Sequence, residues 1–99
     1  MRKPICVSQS PAPANLSFYI GSGVQAFLFG SVAKGTATES SDLDIYLTGP
    51  CAEKVESRYM FERPLVKFNG QVYPLHIIGP LTTATDVFFA SQPEARRVM

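Results

Sequence analysis

A chain of 99 residues, 45% hydrophobic and 11% aromatic, has room for one domain and the apolar material to give it a core. A formal net charge of +1, with no basic run longer than Arg96-Arg97 and no acidic or basic tail, excludes electrostatic capture of bulk nucleic acid. No apolar run approaches the ~20 residues that span a bilayer, and Arg2 and Lys3 lead into a Pro-rich polar stretch in place of an apolar signal, so a soluble, cytoplasmic protein is expected.

Residues 1–14, with Pro4, Pro11 and Pro13, read as an irregular arm holding a short extended piece at Ile5–Val7. Residues 15–99 read as a single domain. Leu16–Ile20 is short and apolar, and either a helical turn or a strand lead-in suits it before Gly21 and Gly23. Val24–Phe29 is a compact apolar run fit for a strand buried on both faces. Ser31–Lys34 begins a short helix that Gly35 stops, and Thr36–Ser41 is a polar loop. Asp42–Leu47 alternates, with Asp42, Asp44 and Tyr46 on one face and Leu43, Ile45 and Leu47 on the other, as in a half-buried strand.

Cys51–Tyr59 suits a short helix with its charges outward. Leu65–Phe68 and Gln71–Ile78 flank Asn69-Gly70, the dipeptide of a tight hairpin. A last helix, capped by Thr82, Thr83 or Thr85, runs to about Gln92 with Val87, Phe88 and Phe89 as its apolar side. Phe88 and Phe89 are adjacent and cannot both face one core, so one of them is expected to meet a second copy or a helical partner. The order of elements gives a small mixed sheet flanked by short helices, an α/β (α+β) domain. Cys6 and Cys51 have no metal-ligand spacing and read as two reduced thiols.

The chemistry concentrates between Phe27 and Leu47. A buried strand delivers Gly30-Ser31 to the mouth of a short helix, where a phosphate can approach backbone N–H groups and the Ser31 hydroxyl. After a gap of ten residues, Asp42 and Asp44 share one strand face. Two neighbouring carboxylates call for a cation between them, and a hard divalent ion with phosphate oxygens completing its shell is the natural one. A phosphate clamp beside a metal clamp is what nucleoside triphosphate chemistry needs.

Gly30-Ser31 followed by Asp42-Leu43-Asp44-Ile45 resembles the signature of the DNA polymerase beta superfamily, and most of all its minimal nucleotidyltransferases. The resemblance implies transfer of a nucleoside monophosphate from an NTP to an acceptor hydroxyl, with Mg²⁺ or Mn²⁺. It carries over Asp42 and Asp44 as metal ligands and Gly30 and Ser31 as nucleotide-holding residues. Minimal members often follow the Gly-Ser with Arg-Ala-Arg-Gly. Here Val32-Ala33-Lys34-Gly35 keeps one cation, and Lys34 is assigned to the phosphates or to solvent. The family also uses a third carboxylate on a later strand. The corresponding strand, Val72–Ile78, has no Asp or Glu, and its titratable residue is His76. Imidazole suits a general base near neutral pH better than a Mg²⁺ ligand, so His76 is expected in the cleft as a base, with a hydrogen-bonded structural histidine as the other reading. Tyr46 and Tyr73 read as packing, Asp86 as an acid in a first helical turn, and Arg96 and Arg97 as solvated. The motif leaves two functions open: an active transferase, or a degenerate domain that binds a helical partner, as antitoxin-type components of toxin–antitoxin modules do.

Overall fold

A computed structural model describes residues 14–99, so the readings of residues 1–13 and of Cys6 lie outside the described residues, while Ala14, read as the end of the arm, belongs to a short strand. The chain runs β1 (Ala14–Asn15), α1 (Leu16–Ile20), β2 (Gln25–Phe29), α2 (Gly30–Lys34), β3 (Leu43–Thr48), α3 (Ala52–Glu62), β4 (Leu65–Phe68), β5 (Gln71–Ile78), α4 (Thr85–Ser91) and β6 (Arg96–Arg97). The six strands form one sheet in the order β1-β4-β5-β3-β2-β6. It is mixed: β3 lies parallel to β5 and β1 to β4, and the other pairings are antiparallel. This is the mixed α/β architecture expected from the order of elements. The strands at its two edges, β1 and β6, were not legible in advance. Each is two residues long, too short for any periodic signal.

Side-chain alternation divides the sheet into two faces. Ala26 and Leu28 of β2, Leu43, Ile45 and Leu47 of β3, and Leu75 and Ile77 of β5 bury on one face beneath Leu16 and Ile20 of α1 and Ala52 and Val55 of α3. The opposite face is only part-covered. There Phe29 and Tyr46 pack with Phe88 of α4. The Tyr46 ring stacks on Phe88 with centroids 4.0 Å apart, and Phe29 meets Phe88 edge-on at 4.9 Å. The Tyr46 hydroxyl donates to the Thr83 carbonyl at 2.6 Å, so this fully buried phenol is satisfied and serves packing. Phe89, beside Phe88, stays 37% exposed while its ring touches Phe27 edge-on at 5.0 Å. Phe88 is thus inside, and Phe89 packs at the edge of the same aromatic cluster.

The hairpin turn forms at Asn69-Gly70, where both residues have positive φ, 51° and 80°. That is the geometry a two-residue connection needs to match strand twist, and asparagine and glycine tolerate it best. Two expectations are corrected. The residue before α4 is Ala84, and no side chain caps the helix. The threonines are committed elsewhere, Thr82 to Glu56 and Thr85 to the Tyr46 hydroxyl. And α3 does not keep all its charges outward, because Glu56 is completely buried. Its carboxylate accepts from the Leu81 N–H at 3.0 Å and from the Thr82 hydroxyl. Gly79 makes room for it, since a β-carbon there would fall 2.7 Å from Oε1. A buried carboxylate is tolerated when such donors replace water.

Asp86 lies exposed in the first turn of α4 and Arg96 and Arg97 are exposed on β6, as expected. Among the described residues, no helix is long and apolar enough to cross a membrane.

Phe88 is 1% exposed and contacts both Phe29 and Tyr46, so Phe88→Ala should cost about 3–5 kcal/mol of unfolding free energy. Phe89→Ala should cost less than half as much. Urea titration of the two variants checks the difference.

Candidate active site

The open part of the second face lies where β2 ends and β3 begins. The antiparallel register sets Phe29 opposite Asp44, so Gly30, the next residue, arrives beside the Asp44 side chain. The parallel register on the other side of β3 sets His76 opposite Asp44. Three consecutive strands of the sheet thus bring Gly30, Asp44 and His76 together.

Gly30 has φ of +77°, which turns the chain sharply out of β2 into α2. A β-carbon on residue 30 would fall 3.0 Å from Asp44 Cγ and closer still to Oδ2, so the carboxylate rests directly on the glycine backbone. Both the conformation and the contact require glycine. Ser31 follows in the first turn of α2, part-buried, and its carbonyl accepts from the Thr36 N–H at 3.0 Å. Lys34 is in the last turn and exposed.

Asp44 Oδ1 and His76 Nδ1 are 2.9 Å apart, with the histidine side chain 47% exposed and the aspartate 21%. His76 therefore reaches the cleft, as expected, and meets Asp44 directly. In the tautomer that donates Nδ1–H to the carboxylate, Nε2 keeps its lone pair. Asp42 stands just before β3, exposed and two residues from Asp44, one position short of the strand that the alternation predicted for it. The Tyr59 phenol on α3 is pushed up chiefly by burial, and the charges of Asp42 and Asp44 add to the effect. Among the described residues, no group of three or more His, Cys, Asp or Glu side chains is arranged to hold a metal ion.

Glu94 was not foreseen. Its Oε2 accepts from the Gly30 N–H at 3.1 Å, across 64 positions of sequence. Its carboxyl is held below the ordinary value by its own backbone N–H, by that of Gly30, and by the Lys34 ammonium. A lone glutamate between a proline and an alanine carries no motif, and only the placement of β6 could have revealed it. The cavity of about 240 Å³ lined by Asn15, Lys67, Phe68 and Met99 lies elsewhere and includes none of these residues.

A profile described as "Nucleotidyltransferase domain" matches residues 15–90. The match covers most of the chain, and the protein belongs to this family, a minimal nucleotidyltransferase-like domain of the polymerase beta superfamily with a general role in nucleotidyl transfer. Searches of curated proteins and of solved structures returned no significant match.

Because the Glu94 carboxyl lies below its ordinary 4.5, its bond to Gly30 is fully present above that value and is lost as the pH falls through the lower folded value. The Gly30 amide resonance should therefore titrate with a midpoint below 4.5 in NMR spectra, and the step should vanish in Glu94→Gln.

Proposed function

We propose that the protein is a metal-dependent nucleotidyltransferase that moves a nucleoside monophosphate from an NTP to an acceptor hydroxyl. The observation that carries this reading is the convergence of Gly30, Asp44 and His76 at one end of the sheet. Residues 15–99 act as the domain, because β6, beyond the matched stretch, still pairs with β2.

The donors fit a hard divalent cation. Asp44 uses Oδ1 toward His76, and among the described residues no hydrogen bond takes up Oδ2. Asp42 adds a second, exposed carboxylate two residues before Asp44 in the chain. Mg²⁺ or Mn²⁺ commonly takes one or two protein carboxylates and completes its shell with water and substrate phosphate oxygens. When bound, the ion would neutralise charge that builds on the triphosphate during transfer. Asp42 and Asp44 would hold it. The turn at Gly30-Ser31 would receive the phosphates, through backbone N–H groups and the Ser31 hydroxyl, with Lys34 close by.

In the transfer, the acceptor oxygen forms a bond to the α-phosphorus, the bond to the bridging oxygen breaks, and pyrophosphate leaves. The acceptor's proton needs a base. His76 offers Nε2 when Nδ1–H is held by Asp44, an arrangement that also fixes the ring.

A second reading has its own support. The third carboxylate is replaced by His76, and large apolar side chains stand exposed, Phe18 at 81% and Phe61 at 91%. These features suit a non-catalytic domain that binds a helical protein partner, as an antitoxin-type component would, or a second copy of itself.

An NTP with Mg²⁺ should stabilise the protein, by about 2.7 kcal/mol at a hundred times its Kd, and much less in EDTA. Asp44→Asn should remove the difference, as read by thermal shift and calorimetry. Equal stabilisation with and without metal would contradict the proposal. His76→Ala should lower the transfer rate roughly 10²–10⁴-fold with nucleotide and metal binding nearly intact. Loss of Mn²⁺ binding in that variant would instead make His76 a ligand, and unchanged rate and binding would make it structural.

A further inference from the structure

The Gly30 N–H, which the proposed function directs at phosphate, already has an anion on it. The Glu94 carboxylate accepts its hydrogen bond at 3.1 Å. The position of Glu94 follows from the sheet. β6 pairs antiparallel with β2, Arg97 opposite Phe27 and Arg96 opposite Leu28. Glu94 lies in the turn two residues before β6, and Gly30 follows Leu28 by two residues, so this pairing brings the turn to the end of β2, where the Glu94 carboxylate meets the Gly30 N–H. The segment is anchored on both sides. Before it, Phe88 of α4 is locked into the aromatic cluster. A turn closed by the Ala95 N–H on the Gln92 carbonyl, at 3.1 Å, then leads into β6. After it, Val98 and Met99 bond back to Ala26.

The positive groups at this end of the cleft are therefore partly spent within the chain. A charge-assisted bond from an N–H to a carboxylate is stronger than a neutral one, and one N–H cannot serve a carboxylate and a phosphate oxygen equally well. The Lys34 ammonium lies close enough to act on the Glu94 carboxyl as well. A triphosphate entering here would meet a like charge held in place by the fold.

We propose that Glu94 is an intramolecular competitor for the phosphate-binding end of the cleft, and that its departure from the Gly30 N–H sets the affinity for the triphosphate. The inference rests on the nucleotidyltransferase reading of the cleft. It adds a specificity-determining residue that lies outside both the Gly-Ser and the Asp-x-Asp segments and beyond the matched stretch of chain. The competition has a simple arithmetic: apparent affinity falls by the fraction of molecules in which the N–H is free. If the Glu94 contact is made about nine-tenths of the time, the loss is about tenfold.

The test is an NMR titration of the full chain with inorganic tripolyphosphate, followed at the Gly30 amide, in the wild type, Glu94→Gln and Glu94→Ala. Glutamine keeps the size and a weaker acceptor, so that variant remains informative if the alanine variant does not fold. The half-saturating concentration should fall about tenfold in Glu94→Ala and by a smaller factor in Glu94→Gln. Unchanged or weakened binding at Gly30 in both variants would overturn the proposal. Calorimetry of an NTP with Mg²⁺ on Asp44→Asn, run in parallel, separates this from the underlying reading. Tighter tripolyphosphate binding in the Glu94 variants, with no effect of Asp44→Asn on the nucleotide, would uphold the competition while refuting the metal-bound nucleotide. The reverse pattern would refute the competition and leave the nucleotide site standing.

Discussion

The Asp44 carboxylate rests where a β-carbon on residue 30 would have to be, and the rest of the cleft is arranged around that contact. Only glycine allows it, and only at the positive φ that swings the chain from β2 into α2. The contact depends in turn on strand register. Phe29 must stand opposite Asp44, and a slip by one residue would send Asp44 into the apolar layer beneath α1 and α3. Leu43, Ile45 and Leu47, all fully buried, prevent that slip. Core packing on one face thus fixes polar geometry on the other.

Coverage of the second face is equally selective. α4 lies over Tyr46 and Phe29 and seals them with Phe88, while Asp44, one alternation along β3 from Tyr46, and His76, beside it on β5, remain accessible. The buried Glu56 secures the approach to that helix, holding Leu81 and Thr82 just before it. A fully buried carboxylate in α3 thereby ties the apolar face to the segment that caps the opposite one. A domain of this size can leave one end of a sheet open for chemistry only if the remainder is closed firmly, because its total apolar burial is small.

Much of this was legible in the sequence. The period-2 pattern from Leu43 to Leu47, the Gly-Ser before a short helix, and Asn69-Gly70 each report a local preference that the tertiary structure keeps, while Asp42, read as part of the strand, falls just before it. The meeting of His76 with Asp44 could be framed as an expectation because both lie on recognisable strands, although the parallel register that joins them is not written locally. What escaped notice depends on distant partners. Glu56 reads as one more charge on a helix and Thr82 and Thr85 as caps, and Glu94 carries no local signal at all. Their roles come from hydrogen bonds to residues 25 to 64 positions away, or from a two-residue strand too short to announce itself.

The central claim, that a metal-bound nucleotide occupies the cleft framed by Gly30, Asp42, Asp44 and His76, is most directly tested by paramagnetic relaxation. Substoichiometric Mn²⁺ added with an NTP to the isotope-labelled chain should broaden the resonances of Asp42, Asp44 and the Gly30-Ser31 turn first. Val72 and Lys67, at the far side of the hairpin, should broaden last. Broadening centred on any other surface, or an identical pattern with and without the nucleotide, would contradict the account.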